Sequence, residues 1–360
     1  MTIVLFVVGL VFLIAGAEAL VRGACRLAAA IGISPLVIGL TVVAFGTSAP
    51  ELAVSVKSAL SDQASIAVGN VVGSNIFNVL FILGVSALIV PLVVSSQLIR
   101  IDVPFMLALS VFVLLLALDG GFSRIDGIIL FVGLLAYITV LIYLSRRESA
   151  AVKQEFAQEY GIAPTAKVGW LKDTALIVIG LILLVTGSRW FVDSAVAFAQ
   201  YLGVSELIVG LTIVAAGTSM PEVVTSIIAA LRGERDIAVG NVVGSNIFNL
   251  MGVLGIASII APSGIAVSPE FVRFDIPVMI LVALACVPIF LTGGVISRQE
   301  GFVLLAYYVA YTVYLVLVAT SNQALTWFGP LMLYGAIPLT FVTMLALTVR
   351  ELRRKKSAKS

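Results

Sequence analysis

The sequence predicts an all-α polytopic membrane protein with two inverted-topology repeats of five transmembrane helices plus an extra C-terminal helix. Three observations predict this fold: extreme hydropathy, an internal repeat, and an odd number of apolar segments in each repeat. Of the 360 residues, 61% are hydrophobic and only 11% are charged, and the mean hydropathy is +1.18. Because a soluble domain carries about 25% charged residues, this chain cannot cover a water-facing surface. The same composition excludes intrinsic disorder.

The charged and sulfur-containing residues exclude further classes. The formal net charge of +2 is too small and too dispersed for nucleic-acid binding. No Gly-Lys dipeptide occurs, so a nucleotide-binding P-loop is absent. Without histidine, ion chemistry must rest on carboxylate, amide, hydroxyl and backbone oxygens, which are ligands for hard cations. Cys25 and Cys286 lie in apolar runs and are expected to be inert packing residues. No covalently bound cofactor is expected.

Eleven segments have the length and hydropathy of transmembrane helices, each of which needs about 20 mostly apolar residues. A β-barrel is excluded because its strands would alternate polar and apolar residues. The segments are 3–29, 35–60, 66–90, 102–118, 125–144, 174–200, 206–231, 237–261, 275–292, 301–320 and 327–349.

The distribution of basic residues predicts the orientation of these segments. With the N-terminus outside, 17 of the 21 Lys and Arg residues fall on the cytoplasmic side, and only Lys57, Arg124, Arg189 and Arg273 do not. The positive-inside rule therefore favours an external N-terminus and a cytoplasmic C-terminus.

The two halves of the chain repeat each other at an offset of 171 residues. Residues 35–78 and 206–249 match at about 27 of about 44 positions, a level that chance does not give. Gly-Asn-Val-Val-Gly-Ser-Asn-Ile-Phe-Asn occurs unchanged at 69–78 and 240–249. Because each repeat contains about five spans, the second half enters the membrane from the opposite side, as in secondary transporters.

This repeat defines a division of the chain into four parts. Residues 1–144 form the first five-helix repeat and residues 174–320 the second. Between them, 145–173 is a polar segment predicted to be a cytoplasmic connector, too short for a folded domain. Residues 321–360 contain the eleventh helix and a basic cytoplasmic tail.

Glu51 and Glu222 are the carboxylates that occur in both copies of a Gly-Thr-Ser-x-Pro-Glu motif within apolar spans. A carboxylate at such a depth costs about 2.5 kcal/mol or more unless it is paired or faces a cavity. No arginine repeats beside them, so a bound cation is the expected partner. Proline next to each glutamate cannot donate a hydrogen bond, which predicts free carbonyls at Gly46 and Gly217 that could bind metal. Threonine and serine lie on the glutamate face, four and three residues earlier.

The second motif places polar side chains on one face of a helix. Ser74 and Asn78 are four residues apart, and the second repeat has the same spacing. Paired Gly-x-x-x-Gly sequences, 69–73 and 240–244, predict close helix packing. Packing alone is the alternative interpretation of these residues. It does not account for a doubled set with a carboxylate in each copy.

These paired motifs resemble the alpha repeats of the cation/calcium exchanger superfamily, which carry Gly-Thr-Ser-x-Pro-Glu followed by a Gly-Ser-Asn-Ile-x-Asn-like segment. The closest similarity is to prokaryotic YrbG-like sodium/calcium antiporters, and it covers about residues 5–320. The resemblance implies glutamates that bind both ions, threonine backbone carbonyls that bind calcium, asparagines that complete the centre, and small residues that line sodium sites. Carried over by position, these are Glu51, Glu222, Thr47, Thr218, Asn78, Asn249, Ala44, Ser48, Ser74, Ala215, Ser219 and Ser245.

The activity that the resemblance implies is exchange of transported Na⁺ for Ca²⁺ across the inner membrane of a prokaryote, with these ions and the lipid bilayer as partners. Alternating access is expected, with spans 3–29 and 174–200 moving against the core built from the two motif-bearing pairs of spans. Many relatives, including the potassium-dependent branch, have aspartate where this chain has Asn249, so potassium-independent exchange is expected. A divalent cation/proton antiporter and, less favoured, a cation channel remain alternatives, and an enzyme is disfavoured because no nucleophile and base stand out.

Other charged residues in the spans are expected to be structural. Glu18 and Arg22 are four residues apart, and Arg189 and Asp193 repeat this spacing with opposite signs, so each helix could form its own ion pair. A role in ion gating is the alternative. Asp102 and Asp275 each lie two residues before a proline at the start of a span, which predicts that they cap helices.

Overall fold

The computed structural model describes residues 2–147, 170–291, 293–340, 342–344 and 346. Most of the predicted connector 145–173 and the basic end of the tail lie outside the described residues. The described helices are α1 (Thr2–Ile31), α2 (Pro35–Thr47), α3 (Ala49–Leu60), α4 (Ala64–Ile89), α5 (Leu98–Ala117), α6 (Arg124–Arg147), α7 (Trp170–Tyr201), α8 (206–217), α9 (Met220–Leu231), α10 (Arg235–Ile260), α11 (Phe271–Leu291), α12 (Arg298–Ala319) and α13 (Leu325–Met344). Four two-residue strands lie between them: β1 (Leu92–Val93), β2 (Gly121–Phe122), β3 (Ile265–Ala266) and β4 (Val295–Ile296).

The prediction of an all-α polytopic membrane protein is confirmed. Within the described residues, nine helices are long and apolar enough to cross a membrane, and α2 with α3 makes a tenth span bent by 47°. α8 and α9 form the equivalent broken pair in the second half. Many large apolar side chains on the outer helices are exposed, as expected for a surface that faces lipid rather than water.

The two repeats are related by a pseudo-two-fold axis, and helix αn of the first repeat corresponds to α(n+6) of the second. The short strands follow this symmetry, because β1 pairs antiparallel with β4 and β2 pairs antiparallel with β3. Arg124 on α6 donates to the carbonyl of Ala261, and Arg298 on α12 donates to that of Ile89, each at 3.4 Å. In each repeat, a carbonyl near a helix end therefore accepts a hydrogen bond from an arginine of the other repeat.

α4 and α10, which carry the identical ten-residue motif, form the centre of the molecule. In their most apolar 18-residue windows, 72% and 83% of the residues are buried, against 6% for α12 and none for α13. Each central helix changes to a wider π turn at the last residue of the motif, over Asn78–Leu83 and Asn249–Val253. Such turns are frequent at functional sites.

α1 and α7 pack closely through glycines. A Cβ placed at Gly16 would lie 2.8 Å from the carbonyl oxygen of Gly180, and the reciprocal distance is also 2.8 Å. Gly9 and Gly187 repeat this reciprocal contact, at 2.9 Å and 2.8 Å. Both helices expose only backbone at these positions, which lets them approach closely.

The side chain of Asp102 makes no capping hydrogen bond, so the prediction that it caps a helix is wrong. Asp102 and Asp275 each lie at the last residue of a π turn. The hydroxyl of Tyr137 donates to Asp102 at 2.8 Å, and that of Tyr311 donates to Asp275 at 3.1 Å. Pro104 lies in the first turn of the α-helical segment that follows, but the carboxylate of Asp102 accepts from Tyr137 rather than from a backbone N–H of that turn. Both aspartates therefore link neighbouring spans.

The predicted ion pair between Glu18 and Arg22 is confirmed at 2.6 Å. Glu18 also pairs with Arg232, which follows α9, so α1 is joined to the second repeat. Among the described residues, no ion pair joins Arg189 and Asp193, so the expectation for α7 is wrong. Four-residue spacing permits such a pair but does not impose it, since both side chains can extend towards other surroundings.

Replacing Gly16 by Val is expected to lower the free energy of unfolding by about 1–3 kcal/mol, because the branched side chain would overlap the backbone of α7. The thermal unfolding midpoint of the detergent-solubilised protein measures this. Gly329→Val on α13 is the matched control, since a Cβ there meets only one atom, at 3.9 Å. Equal midpoints for the two variants would contradict this account of α1–α7 packing.

Candidate cation site

A break in each motif-bearing span positions its carboxylate. α2 ends just before Ser48, whose ψ of 10° interrupts the helix, and α3 restarts with Pro50 in its first turn. Proline is tolerated there because the first N–H groups of a helix have no intrahelical partner. Glu51 therefore lies in the first turn of α3, where the helix dipole favours negative charge. Ser219, with ψ of 9°, and Glu222 repeat the arrangement at the start of α9.

The two carboxylates are completely buried, and each is held by the serine of the opposite repeat. The hydroxyl of Ser48 donates to Oε1 of Glu222 at 2.9 Å, and that of Ser219 donates to Oε1 of Glu51 at 2.8 Å. Oγ of Ser219 also lies 3.2 Å from Oγ of Ser74, within hydrogen-bond distance. These reciprocal hydrogen bonds place both glutamates at the interface between the repeats.

Asn78 and Asn249 lie at the same interface and are also completely buried. Nδ2 of Asn78 donates to Oδ1 of Asn246 at 3.0 Å, and Nδ2 of Asn249 donates to Oδ1 of Asn75 at 3.1 Å. Their own Oδ1 atoms accept no hydrogen bond from the described residues, and neither do the Oε2 atoms of both glutamates. Four buried oxygen acceptors thus have no donor.

These four oxygens are suited to a hard cation. Burying an anionic or strongly polar acceptor without a partner is costly, and a bound cation removes that cost. Calcium takes six to eight oxygen ligands, which carboxylates, amides, backbone carbonyls and water can supply together. No cluster of three or more His, Cys, Asp or Glu side chains occurs in the part of the chain that the structure describes. A cation bound between the two glutamates would therefore need the amide oxygens as further ligands.

A second layer of amides supports the broken helices. These amides were not among the site residues predicted from the sequence. Asn70 donates from Nδ2 to the carbonyl of Glu51 at 3.0 Å, and Asn241 donates to that of Glu222 at 3.5 Å. The hydroxyl of Thr47 donates to Asn241 at 3.1 Å, and that of Thr218 donates to Asn70 at 3.3 Å. Both asparagines belong to the unchanged ten-residue motif, and that identity was the available signal.

The remaining predicted residues have different surroundings. The hydroxyl of Ser74 lies within hydrogen-bond distance of Ser219, whereas the hydroxyl of Ser245 is buried and has no partner among the described residues. The carbonyl of Ala44 accepts the N–H of Ser48 at 3.0 Å. The side chain of Ala215 lies outside the described residues.

The prediction that the carbonyl of Gly217 is free is wrong. It accepts a hydrogen bond from the hydroxyl of Ser188 on α7 at 2.9 Å. The equivalent of Ser188 in the first repeat is Ala17, which has no hydroxyl. The carbonyl oxygen at the helix break is thus hydrogen-bonded by a neighbouring helix. The local sequence around the proline could not predict this contact.

The two Gly-x-x-x-Gly sequences are used differently. A Cβ at Gly244 would lie 2.6 Å from Cα of Leu40 on α2, and one at Gly240 would lie 3.2 Å from the Leu36 carbonyl oxygen. A Cβ at Gly73 would meet nothing within 4 Å. The predicted close packing is therefore confirmed for α10 and wrong for Gly73, so the structure is asymmetric at this site.

A two-fold helical membrane fold with a buried, carboxylate-centred oxygen site between its repeats defines the class of secondary transporters. The chain belongs to the sodium/calcium exchanger protein family, whose model matches residues 1–143 and 172–317. This family consists of transporters rather than catalytic enzymes.

Similar proteins cover most of the chain. It is 40% identical to the inner membrane protein YrbG of Escherichia coli over 81% of this chain and 94% of the relative. Identity is 38% to the putative antiporter CaxA of Alkalimonas amylolytica, over 84% and 95%. It is 33% to the sodium/calcium exchanger MaX1 of Methanosarcina acetivorans, over 86% and 97%.

Solved structures of the sodium-calcium exchanger NCX_Mj have the same fold. One of them, soaked with sodium and strontium, superposes with a TM-score of 0.73 and 30% sequence identity, covering 88% of this chain and 97% of that chain. The predicted resemblance to the cation/calcium exchangers is confirmed by these matches.

Replacing Glu51 or Glu222 by Gln is expected to weaken calcium binding by roughly a hundredfold or more, because a buried cation loses a charged ligand. Glutamine keeps the size of the side chain and an acceptor for the serine hydroxyl, so folding is expected to persist. Titration calorimetry on the purified protein measures the affinity, with the exposed Glu270→Gln as control. Unchanged affinity in both site variants would refute this assignment.

Proposed function

We propose that the protein is a secondary active antiporter that exchanges Na⁺ for Ca²⁺ by alternating access. The observation that carries this proposal is the pair of buried glutamates, each held by the opposite repeat and each with one oxygen that has no protein donor. Membership of the exchanger family and the name of the relative MaX1 support the two transported ions.

The proposed ligand set is the one that the resemblance to the cation/calcium exchangers implies. Calcium is bound by the two glutamates, the backbone carbonyls of the two motif threonines and the two unpaired amide oxygens. The same oxygens, divided among smaller groups with serine hydroxyls and alanine carbonyls, bind sodium. The complete proposed set is Glu51, Glu222, Thr47, Thr218, Asn78, Asn249, Ser48, Ser219, Ser74, Ser245, Ala44 and Ala215.

Repulsion between the carboxylates explains why exchange is obligatory. Two carboxylates about 4 Å apart repel by about 4 kcal/mol at an effective dielectric near 20. The carrier without cations therefore resists passage through the hydrocarbon, whereas the calcium-loaded and sodium-loaded carriers do not. Each ion must leave in exchange for the other.

The asymmetric glycines support alternating access. α2 packs against α10 at Gly244, while the equivalent position Gly73 on α4 has no such contact. If the two repeats exchanged conformations, α8 would pack against α4 at Gly73 and α2 would separate from α10 at Gly244. The site would then be closed on the Gly73 side and open on the Gly244 side. We place the movement between the glycine-paired helices α1 and α7 and the core built on α4 and α10.

The finer features of the proposal follow the sequence predictions. The four-part division at 144, 173 and 320 is retained, as are an external N-terminus, a cytoplasmic C-terminus and an inner-membrane location. The relative YrbG is named an inner membrane protein, which supports that location. Potassium-independent exchange rests on Asn249, since the centre then has two carboxylates and no third one for a further cation.

Purified protein in liposomes tests the function. Imposing a sodium gradient is expected to drive calcium uptake at constant pH, with potassium present or absent. Uptake that responds to a pH jump at fixed sodium would establish the proton antiporter instead. Calcium flux without any counter-ion gradient would establish a channel, and a calcium flux that is indifferent to sodium would refute the proposal.

Replacing Gly73 by Ala is expected to preserve calcium binding but to reduce exchange at least roughly tenfold. The added methyl group has space in this structure, whereas after conformational exchange it would meet Leu211, the equivalent of Leu40, as tightly as Gly244 meets Leu40 here. Binding titration and liposome flux measure the two effects, with Gly335→Ala on α13 as control. Full exchange by the Gly73 variant would contradict this movement.

A further inference from the structure

Four asparagines form a connected hydrogen-bonded group on the pseudo-two-fold axis, here called the asparagine quartet: Asn75, Asn78, Asn246 and Asn249. Asn78 and Asn249 belong to the proposed ligand set, and their Oδ1 atoms accept no hydrogen bond from the described residues. Asn75 and Asn246 lie behind them and are almost completely buried, with 2% and 3% of their surface exposed. The proposed ligand set does not include this second pair.

The orientation of every amide in the quartet is dictated by two backbone carbonyls. Nδ2 of Asn75 donates to the carbonyl of Asn246 at 3.2 Å, and Nδ2 of Asn246 donates to the carbonyl of Asn75 at 3.3 Å. A carbonyl oxygen can only accept, so each of these amides must present its NH₂ group there. Oδ1 of each then faces the other member of the quartet.

Two thioethers favour the same orientation. Sδ of Met279 on α11 lies 3.7 Å from Nδ2 of Asn75, and Sδ of Met106 on α5 lies 3.6 Å from Nδ2 of Asn246. Sulfur in methionine is a weak acceptor and never a donor. Reversing either amide would place an oxygen against a carbonyl and a sulfur.

Each of these two asparagines in turn orients the site asparagine of the opposite repeat. Because Oδ1 of Asn75 faces Asn249, Asn249 must donate its NH₂ group, at 3.1 Å, and only its oxygen remains for a cation. Asn246 fixes Asn78 in the same way at 3.0 Å. An unconstrained amide could present either end, and an NH₂ group facing a cation would repel it.

We propose that Asn75 and Asn246 are positioning residues that hold the amides of Asn249 and Asn78, respectively, with oxygen towards the transported cation. The proposal deepens the exchanger function and rests on the cation site assigned above. It explains how a centre with two carboxylates recruits two neutral side chains as reliable oxygen ligands. Calcium affinity is the quantity that the quartet controls.

A crossed set of double variants tests the assignment. Asn75→Leu removes the constraint on Asn249, and calcium binding is expected to weaken by roughly tenfold or more. In an Asn249→Asp background the same substitution is expected to have little effect, because both outer atoms of aspartate are oxygens and orientation no longer matters. In an Asn78→Asp background the tenfold loss is expected to persist.

The second half of the set reverses these partners. Loss of affinity in Asn246→Leu is expected to disappear in the Asn78→Asp background and to persist in Asn249→Asp. Each loss is measured as a ratio within its own background, so the charge added by aspartate cancels. A general loss of packing would lower affinity equally in all backgrounds, and that result, or unchanged affinity in both Leu variants, would overturn the proposal.

Calcium binding is the readout throughout, by titration calorimetry on the full-length purified protein. If a Leu variant fails to fold, Asn75→Ala and Asn246→Ala remove the same amides without adding apolar bulk, and the same crossed pattern is required of them. The wild-type arm separates the two proposals. A protein that binds calcium but does not exchange it for sodium would refute the antiporter, while the crossed pattern would still decide the role of the quartet.

Discussion

Two carboxylates buried between the repeats are the constraint on which the rest of the structure depends. Neither Glu51 nor Glu222 forms an ion pair among the described residues, and each is stabilised through one oxygen by a serine of the other repeat. This arrangement requires α3 and α9 to begin at the same depth, which the helix breaks at Ser48 and Ser219 provide. The buried motif helices, the glycine contacts and the strand pairs between repeats all hold those two helix starts together.

The site combines two kinds of ligand with different physical requirements. A carboxylate offers oxygen in any orientation but costs much to bury, whereas an amide costs less and must be oriented. The structure places the carboxylates where helix dipoles and serine hydroxyls stabilise them. It places the amides where π turns and neighbouring asparagines fix them. In the proposed site, cation binding thus depends on hydrogen bonds one layer beyond the proposed ligands.

The sequence was sufficient to predict the spans, the two repeats and the carboxylates, because hydropathy, self-similarity and the cost of buried charge are local or statistical properties. The contacts that cross between repeats were not predictable. Ser48 and Glu222 are 174 residues apart, and nothing local links them. Asp102 was misassigned as a cap because its partner, Tyr137, comes from another helix. Gly69 and Gly73 match Gly240 and Gly244 in sequence, yet a Cβ at Gly73 would meet nothing within 4 Å whereas one at Gly244 would lie 2.6 Å from Cα of Leu40.

The reciprocal contacts of Asn75 and Asn246 have the geometry of a symmetric homodimer interface, although both residues belong to one polypeptide. Positions on the axis meet their own counterparts, so a change in one half also alters the surroundings of the equivalent residue in the other half. Away from the axis this restriction disappears, and the halves differ freely, as Ser188 and Ala17 do. A single chain can therefore keep an identical sequence at 69–78 and 240–249 while residues away from the axis differ between its halves, which a dimer of identical subunits could not do.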